Sequence, residues 1–203
     1  MEPMMDSEHK AALAPERSAN EPQADAPQSR WAAELWEMLK TIVIAFVIML
    51  LLNVFVFNLS MVKGQSMQPT LEEQERLFVD KLVYRFQHPK RGEVVVLKDP
   101  SVDADQKPFL VKRIVAVPGD TVEVQDGRLL LNGQPLDEPY TDSVIEDGDM
   151  PELKLEDGQY FVMGDNRHAG RSKDSRYFGS VKEKWIVGRA EFVFWPIPKI
   201  RSL

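Results

Sequence analysis

Residues 121–132 read TVEVQDGRLLLN, two short runs of strand-forming residues on either side of Asp126-Gly127. An Asp-Gly pair between such runs is the strongest short-range signal for a β-hairpin, because the favoured two-residue turn needs a positive φ at both positions. Pro118-Gly119 before this stretch and Asn132-Gly133 at its end are further turn signals. Helical periodicity is weak beyond residue 60. This pattern predicts a mostly β protein, with residues 60–203 forming a single all-β domain of twisted antiparallel sheets.

Seven segments of this domain have the strand pattern, namely 76–84, 92–98, 108–117, 121–125, 128–132, 158–164 and 186–195. Each is rich in branched or aromatic apolar residues and is bounded by turn-forming residues. The stretch SVIEDGDMPELKLEDG at 143–158 is acidic and irregular, and it predicts an exposed loop.

A long apolar run precedes the β-rich region. Residues 41–59 read TIVIAFVIMLLLNVFVFNL, and the run contains no charged residue. About 20 such residues in a helix span the hydrocarbon core of a bilayer. No small-x-small cleavage site follows the run, so the pattern predicts a transmembrane signal-anchor helix at 38–59 rather than a cleaved signal peptide.

The segments on either side of the anchor differ in composition. Residues 1–37 begin with an Ala-, Pro-, Glu- and Gln-rich stretch that has few large apolar groups, which is typical of a disordered tail. Arg30 and Lys40 lie before the apolar run and Lys63 after it, a slight bias that favours a cytoplasmic amino terminus. Residues 60–203 are then extracytoplasmic.

Composition excludes several classes of function. The chain has 203 residues and a formal net charge of −7, and it has no basic stripe of the kind that binds nucleic acid. The absence of cysteine excludes a thiol nucleophile, a Cys-ligated zinc ion and a disulfide framework. Only three histidines are present, which argues against a multi-histidine metal site.

The segment VKGQSMQPTL at 62–71, just after the apolar run, has two interpretations. Gly, Ser, Pro and Thr are turn-forming residues, so in one interpretation the segment is a membrane-exit linker. Alternatively, Ser66 is a nucleophile, and a serine hydroxyl then needs a neighbouring base to remove its proton.

Two side chains are candidates for that base. A lysine acts as a base only when it is neutral, and burial in an apolar site lowers its pKa by up to about 3–5 units. Lys112 lies in the apolar run FLVKRIVAV at 109–117, which provides such a site if the side chain points inward. The alternatives are a solvated strand lysine at 112 and a Ser66–His168–Asp triad, since His168 follows GDNR at 164–167.

Several motifs occur in a fixed order behind the membrane anchor: GQSMQPTL at 64–71, GEVVVLKDP at 92–100, KRIVAVPGD at 112–120, GDNR at 164–167 and SKDSRYFG at 172–179. In this order they resemble the bacterial type I signal peptidases with a single anchor, which are membrane-bound serine endopeptidases with a serine–lysine dyad. The resemblance covers residues 38–195. It implies the signal-peptidase fold, which is related to that of self-cleaving repressor-type peptidases.

The resemblance also implies a reaction and a location. Such an enzyme removes signal peptides from exported preproteins after small residues, at sites of the Ala-x-Ala type, and needs no metal or cofactor. It lies in the bacterial plasma membrane with a single pass, a cytoplasmic amino terminus and an extracytoplasmic catalytic domain. The implied partners are the signal peptides of preproteins, membrane lipid and the secretion translocon, with no nucleic acid.

By resemblance, Ser66 is the nucleophile and its backbone N–H contributes to the oxyanion hole, Lys112 is the general base, and Ser172 orients the lysine amine. Four further residues match charged groups that brace the site by ion pairing: Arg113, Asp165, Asp174 and Arg176. An extended substrate is expected between the segments before Ser66 and before Lys112, where the predicted substrate-binding residues are Gly64, Gln65, Met67, Phe109, Leu110 and Val111.

Two positions differ from the usual pattern. HAGR separates Arg167 from Ser172, which is two residues more than in the R-x-x-S spacing of the family. Gly64 stands where some members have a serine whose hydroxyl helps to hold the oxyanion, so the oxyanion here relies mainly on backbone N–H groups.

Two other functions are compatible with parts of the sequence. A self-cleaving repressor-type peptidase also uses serine and lysine on a related β fold, but it has a DNA-binding helical domain where this chain has an apolar helix. A catalytically inactive, membrane-anchored β module that binds exported chains is the alternative from a different class. Cleavage of a precursor with an Ala-x-Ala site distinguishes the enzyme from the binding module.

Overall fold

The structure is a computed structural model that describes residues 30–102 and 108–203. It has three α-helices: α1 Arg30–Phe55, α2 Val83–Phe86 and α3 Ser175–Phe178. The twelve strands are β1 Phe57–Met61, β2 Arg76–Asp80, β3 Val94–Lys98, β4 Phe109–Ala116, β5 Thr121–Gln125, β6 Arg128–Leu131, β7 Gln134–Pro135, β8 Met150–Lys154, β9 Gln159–Met163, β10 Val181–Lys182, β11 Ile186–Trp195 and β12 Arg201–Ser202. Short 3₁₀ helices lie at Glu183–Trp185 and Ile197–Lys199.

The amino-terminal helix begins and ends earlier than predicted. Residues 30–37, which were predicted to belong to a disordered tail, are helical because RWAAELWE is rich in the strong helix formers Ala, Leu and Glu. Residues 57–59, which were predicted as the end of the anchor helix, lie in β1 because their backbone pairs with β2. The rest of the predicted tail, residues 1–29, lies outside the described residues.

The apolar part of α1 fits a membrane anchor. Trp31–Asn53 is the one helical segment within the described ranges that is long and apolar enough to cross a membrane, with a mean hydropathy of 2.2. None of this span is buried within the protein. The predicted transmembrane helix is therefore supported by both length and exposure.

The strands form two antiparallel sheets, which confirms the predicted all-β class. The larger sheet has the order β1-β2-β11-β3-β4-β9-β10, and β12 also pairs with β11. The smaller sheet has the order β7-β6-β5-β8. A cluster of buried side chains from β4, β5, β6 and β9 lies between them, including Val115, Val122, Leu129 and Phe161.

The hairpin at 121–132 has the predicted turn. Asp126 and Gly127 both have positive φ, at 51° and 73°, and β5 pairs with β6 up to Gln125↔Arg128. All seven predicted strand segments contain a strand. The first segment is shorter than predicted, because the Asp80 carboxylate accepts the N–H groups of Leu82 and Val83 and ends β2 before the short helix α2.

The acidic stretch at 143–158 was predicted to be an exposed loop, but part of it is a strand. Its residues Met150–Lys154 form β8, which pairs with β5. Met150 and Leu153 pack against the buried cluster beside β5, and this contact outweighs the weak local strand pattern.

Candidate active site

Ser66 lies in a loop between β1 and β2 that we call the nucleophile loop, residues 62–75. Two backbone hydrogen bonds close its base, Val62 N–H to the Glu75 carbonyl at 2.8 Å and Gln74 N–H to the Val62 carbonyl at 3.0 Å. Met67 and Leu71 are buried in a core cluster with Val62, so the loop is anchored on both sides of the serine. Gly64 has a φ of 83°, a conformation that glycine adopts without the steric cost of a Cβ.

Lys112 lies on β4 and reaches the serine. Its Nζ is 2.6 Å from Ser66 Oγ, and the lysine is only 2% exposed. Burial lowers the pKa of Lys112 from 10.5 to about 8, although the nearby carboxylates of Asp174 and Asp165 favour the charged form. At pH 7 roughly a tenth of the lysine is then neutral, compared with a negligible fraction in water. This amine can accept the proton of the serine hydroxyl.

A groove of about 470 Å³ leads to this pair. It is lined by two segments that precede the reactive residues, by the pair itself and by the residue after Ser66: Leu59, Ser60, Met61, Val62, Lys63, Ser66, Met67, Pro108, Phe109, Leu110, Val111 and Lys112. Four of the predicted substrate-binding residues, Met67, Phe109, Leu110 and Val111, line the groove. Gly64 and Gln65 lie in the nucleophile loop but do not line it.

The strands beside the groove each have an edge that no described strand pairs with. β1 pairs only with β2 in the described part of the chain. β4 pairs with β3 from Phe109 to Arg113, whereas its pairing with β9 begins only at Arg113. Among the described residues, the first residues of β4 therefore have one edge without a strand partner. Unpaired edges of this kind bind an extended peptide by β-addition, with main-chain hydrogen bonds along its length.

The backbone of the nucleophile is held from one side by Asn166, a residue that the sequence analysis did not single out. Asn166 N–H donates to the Ser66 carbonyl at 3.1 Å, and its side-chain Nδ2 donates to the Gln65 carbonyl at 3.0 Å. Within the described ranges, no acceptor is bonded to Ser66 N–H. That N–H is thus available to an oxyanion, the role that the resemblance implies for it. The only sequence signal for Asn166 was its place in GDNR, directly after β9.

Ser172 lies beside the nucleophile but is bonded differently from the prediction. Its hydroxyl donates to Asp174 Oδ2 at 2.7 Å. Among the described residues, the Lys112 amine is hydrogen-bonded to Ser66 and not to Ser172. A carboxylate is the stronger acceptor, which accounts for this choice. Gly164 makes the close packing possible, because a Cβ there would lie 2.3 Å from both Ser172 Oγ and the Ser66 carbonyl oxygen.

The four predicted bracing residues form two buried ion pairs. Asp165 accepts Arg113 Nε and Nη2 at 2.9 and 2.7 Å, and the Arg113 guanidinium also lies 4.1 Å from the centre of the Tyr140 ring. Asp174 accepts Arg176 Nε and Nη2, both at 2.9 Å. Burial alone would raise the pKa of the Asp174 carboxyl, but Arg176, Ser172 and a backbone N–H outweigh burial and lower it. Asp174 therefore stays ionised beside the lysine.

A third buried pair was not predicted. Arg167 is 1% exposed, donates from Nε to the Gly164 carbonyl at 2.8 Å, and binds Glu138 through both terminal nitrogens at 2.8 and 2.6 Å. It ties the segment after β9 to the segment after β7. Nothing in the local sequence around Glu138 indicates this partner.

His168 does not form the alternative triad. Its Nδ1 lies 2.9 Å from Glu146 Oε1, and about half of its side chain is exposed. The serine is paired with Lys112 instead. No group of three or more His, Asp or Glu side chains is arranged to hold a metal ion in the part of the chain that the structure describes.

The chain is similar to known proteins over most of its length. Residues 35–195 match the family described as signal peptidase, peptidase S26. The chain is 38% identical over 190 residues to a signal peptidase I of Leptolyngbya laminosa, covering 92% of this chain and 89% of the relative. It is 41% identical over 179 residues to a signal peptidase I of Bacillus licheniformis, covering 83% and 92%. A crystal structure of a signal peptidase I from Enterococcus faecalis aligns at 31% identity with a TM-score of 0.42, covering 51% of this chain and 97% of that one.

Proposed function

Because the chain belongs to the signal peptidase family, peptidase S26, and is a signal-peptide-removing serine endopeptidase of the signal peptidase I type, we propose that Ser66 is its nucleophile and Lys112 its general base. One observation carries this assignment, the 2.6 Å contact between Lys112 Nζ and Ser66 Oγ within a buried site at the end of an open groove. The lowered pKa of Lys112 supplies the neutral amine that the reaction needs.

The reaction begins with an extended signal peptide between the free edges of β1 and β4. Neutral Lys112 accepts the proton of Ser66 as Oγ attacks the carbonyl carbon of the scissile bond. Ser66 N–H donates to the oxygen that becomes negative, the role that an oxyanion hole has in acyl transfer. The C–N bond then breaks, and Lys112 returns its proton to the departing amine of the mature protein.

The second half-reaction releases the signal peptide. An ester now joins the peptide to Ser66, and Lys112, neutral again, accepts a proton from an attacking water molecule. The second tetrahedral intermediate collapses, the serine recovers its proton, and the peptide leaves as a carboxylic acid. The ion pairs of Asp165 and Asp174 brace the site and do not exchange protons, since each carboxylate is held by an arginine.

The groove supports a preference for small side chains near the scissile bond. Beside the nucleophile it is lined by bulky apolar residues such as Met67, Leu110 and Val111. Bulky side chains at these positions leave little room for a large substrate side chain, which supports cleavage after sites of the Ala-x-Ala type. The preproteins of exported chains are the substrates that the family implies.

We further propose how the enzyme is placed in the cell. The apolar helix anchors it in the plasma membrane, with the amino terminus in the cytoplasm and residues 57–203 outside. Several large apolar side chains of this domain are exposed and suit contact with lipid: Leu59, Phe109, Phe192, Trp195, Ile197 and Ile200. Substrates would reach the groove as they leave the secretion translocon, where their cleavage sites meet the outer membrane surface.

Cleavage of a precursor by the full-length protein in detergent tests the proposed dyad. The wild-type protein should cut a precursor that carries an Ala-x-Ala site, and Ser66→Ala and Lys112→Ala should each reduce kcat by a factor of about 10³ or more, as loss of a residue in such a unit does. His168→Ala is the matched control. Retention of activity in Lys112→Ala together with its loss in His168→Ala would show that the dyad is wrong, and binding without cleavage by the wild type would favour the anchored binding module.

A further inference from the structure

The family match ends at residue 195, but the last residues of the chain contact the nucleophile loop. We call residues 196–203 the C-terminal strap. It continues from β11 through the 3₁₀ helix Ile197–Lys199 to β12, which folds back and pairs with β11 at Phe192↔Ser202 and Val193↔Arg201. Leu203 N–H donates to the Glu191 carbonyl at 3.0 Å. Backbone hydrogen bonds thus join the end of the strap to β11.

Arg201 binds the nucleophile loop at two points. Its Nη1 and Nη2 donate to the two carboxylate oxygens of Glu75, each at 2.8 Å, and Nη2 also donates to the Thr70 carbonyl at 2.6 Å. Glu75 is only 2% exposed, so its carboxylate depends on partners within the protein. Burial alone would raise the pKa of Glu75, yet Arg201 and the Glu72 N–H lower it, so the carboxylate stays charged.

Two further contacts add to the clamp that Arg201 forms with Glu75 and Thr70. Lys199 pairs with Glu72 in the same loop. Leu203 packs against the core cluster that contains Met67 and Leu71, the residues that anchor the loop after Ser66. The strap therefore contacts the loop by an ion-pair network on polar atoms and by an apolar side chain in the core.

The opposite side of the loop is held by residues of the site itself. Arg113 Nη2 donates to Thr70 Oγ1 at 3.3 Å, and Asn166 bonds the carbonyls of Gln65 and Ser66. Thr70 is therefore held by Arg113 at its side chain and by Arg201 at its backbone. Without Arg201, the segment from Thr70 to Glu75 would be joined to the rest of the domain by fewer polar contacts, and the buried Glu75 carboxylate would lose its cation.

We propose that the C-terminal strap positions the nucleophile and that Arg201 is the residue through which it does so. By fixing Thr70 and Glu75, Arg201 keeps the loop in the conformation that places Ser66 Oγ within hydrogen-bond reach of Lys112. Arg201 does not contact the groove and acts only through the loop. The proposal rests on the assignment of Ser66 and Lys112 as the dyad.

The test uses the full-length protein and three arginine variants. Arg201→Met removes the clamp, and Arg201→Lys keeps the positive charge without the two-pronged geometry. Arg189→Met is the matched control, since Arg189 also pairs with two glutamates, Glu93 and Glu191, at 2.8 and 2.7 Å, and its side chain is similarly exposed, 29% against 36%. The readouts are the melting temperature and kcat and KM for a precursor with an Ala-x-Ala site.

Loss of the Arg201 contacts should change kcat rather than KM, because Arg201 lies outside the groove. Displacement of a reacting group by about 1 Å costs about a hundredfold in rate, so kcat of Arg201→Met should fall about 10- to 100-fold with KM within about twofold. Arg201→Lys should recover part of the lost kcat. Arg189→Met should keep a kcat near that of the wild type, although its melting temperature should be comparable to that of Arg201→Met. A wild-type kcat in Arg201→Met, or an equal loss in Arg189→Met, overturns the proposal.

Amide hydrogen exchange gives a readout that does not depend on activity. Leu71 and Gln74 N–H are hydrogen-bonded within the loop and should exchange faster in Arg201→Met than in Arg189→Met, while amides of the small sheet should be unchanged. If Arg201→Met fails to fold, the double variant Glu75→Gln/Arg201→Met removes the buried carboxylate that would lack a cation. This variant should fold, and its kcat should stay below that of the wild type because the contact with the Thr70 carbonyl is still missing. Unchanged amide exchange in the nucleophile loop would overturn the proposal that the strap positions it. Activity in Ser66→Ala would instead overturn the assignment of the dyad.

Discussion

Replacement of Gly164 by alanine would place a methyl group between the nucleophile and its neighbour. The added Cβ would lie 2.3 Å from the Ser66 carbonyl oxygen, 2.3 Å from Ser172 Oγ and 2.8 Å from Ser172 Cβ. Ordinary contacts of a Cβ begin near 3.4 Å, so both partners are about 1 Å too close. The Ser66 backbone is held by Asn166 and cannot move freely, and Ser172 is held by Asp174.

The size of the effect follows from that overlap. Overpacking a well-packed interior typically costs about 1–3 kcal/mol of stability, which a folded domain of this size tolerates. A shift of about 1 Å in a reacting group costs about a hundredfold in rate. We therefore expect Gly164→Ala to fold with a modestly lower melting temperature and to lose about two orders of magnitude in kcat/KM.

Gly188→Ala is a close control for this variant. Its Cβ would lie 2.4 Å from the Asp80 carbonyl oxygen, an overlap of the same size between β11 and β2, with no contact to the dyad. Precursor cleavage and thermal unfolding of both variants should show a similar loss of stability and a loss of activity in Gly164→Ala alone. Equal activity in the two variants would refute the reasoning that Gly164 sets the spacing of the site.

Three further variants test other parts of the account. Asn166→Asp exchanges the amide donor to the Gln65 carbonyl for a carboxylate that repels it. We expect kcat to fall about 10- to 100-fold, less than the loss of an oxyanion donor itself can cost, and the melting temperature to fall as well, because the new charge lies at a position that is only 5% exposed; an unchanged kcat would contradict this role. Arg167→Met strands the buried Glu138 carboxylate, and urea unfolding should show a loss of about 3–5 kcal/mol, whereas a loss below about 1 kcal/mol would contradict the buried pair. His168→Ala should keep kcat/KM within about twofold of the wild type, because the imidazole contacts Glu146 and not the serine, and a large loss would revive the triad.

The local pattern of the sequence predicts most of the fold. Asp126-Gly127 and the alternation around it predict the β5–β6 hairpin, because turn chemistry and period act over a few residues. β1 was missed because the apolar run continues through Phe57 and Leu59, so that the end of the helix depends on pairing with β2 rather than on composition. β8 was missed for a related reason, since its partner β5 lies more than twenty residues earlier in the chain.

The sequence predicts the reactive residues better than it predicts the ion pairs that hold them in place. Lys112 stands out as a charged residue in an apolar strand, and the 2.6 Å contact with Ser66 agrees with that interpretation. The supporting contacts join residues distant in sequence, such as Glu138 with Arg167 and Glu75 with Arg201. No local period specifies such pairs. They become visible only when the fold brings their elements together.

The pH dependence of kcat/KM for precursor cleavage tests the central claim that a neutral lysine activates Ser66. A lysine is neutral above its pKa, so activity should rise with pH, with unit slope on a logarithmic scale, and should level off above the pKa of Lys112, which burial lowers to about 8. We predict a half-maximal value near pH 8 for the wild-type protein. A profile already at its plateau at pH 6, or one that rises with the pKa of an ordinary histidine, would contradict the account.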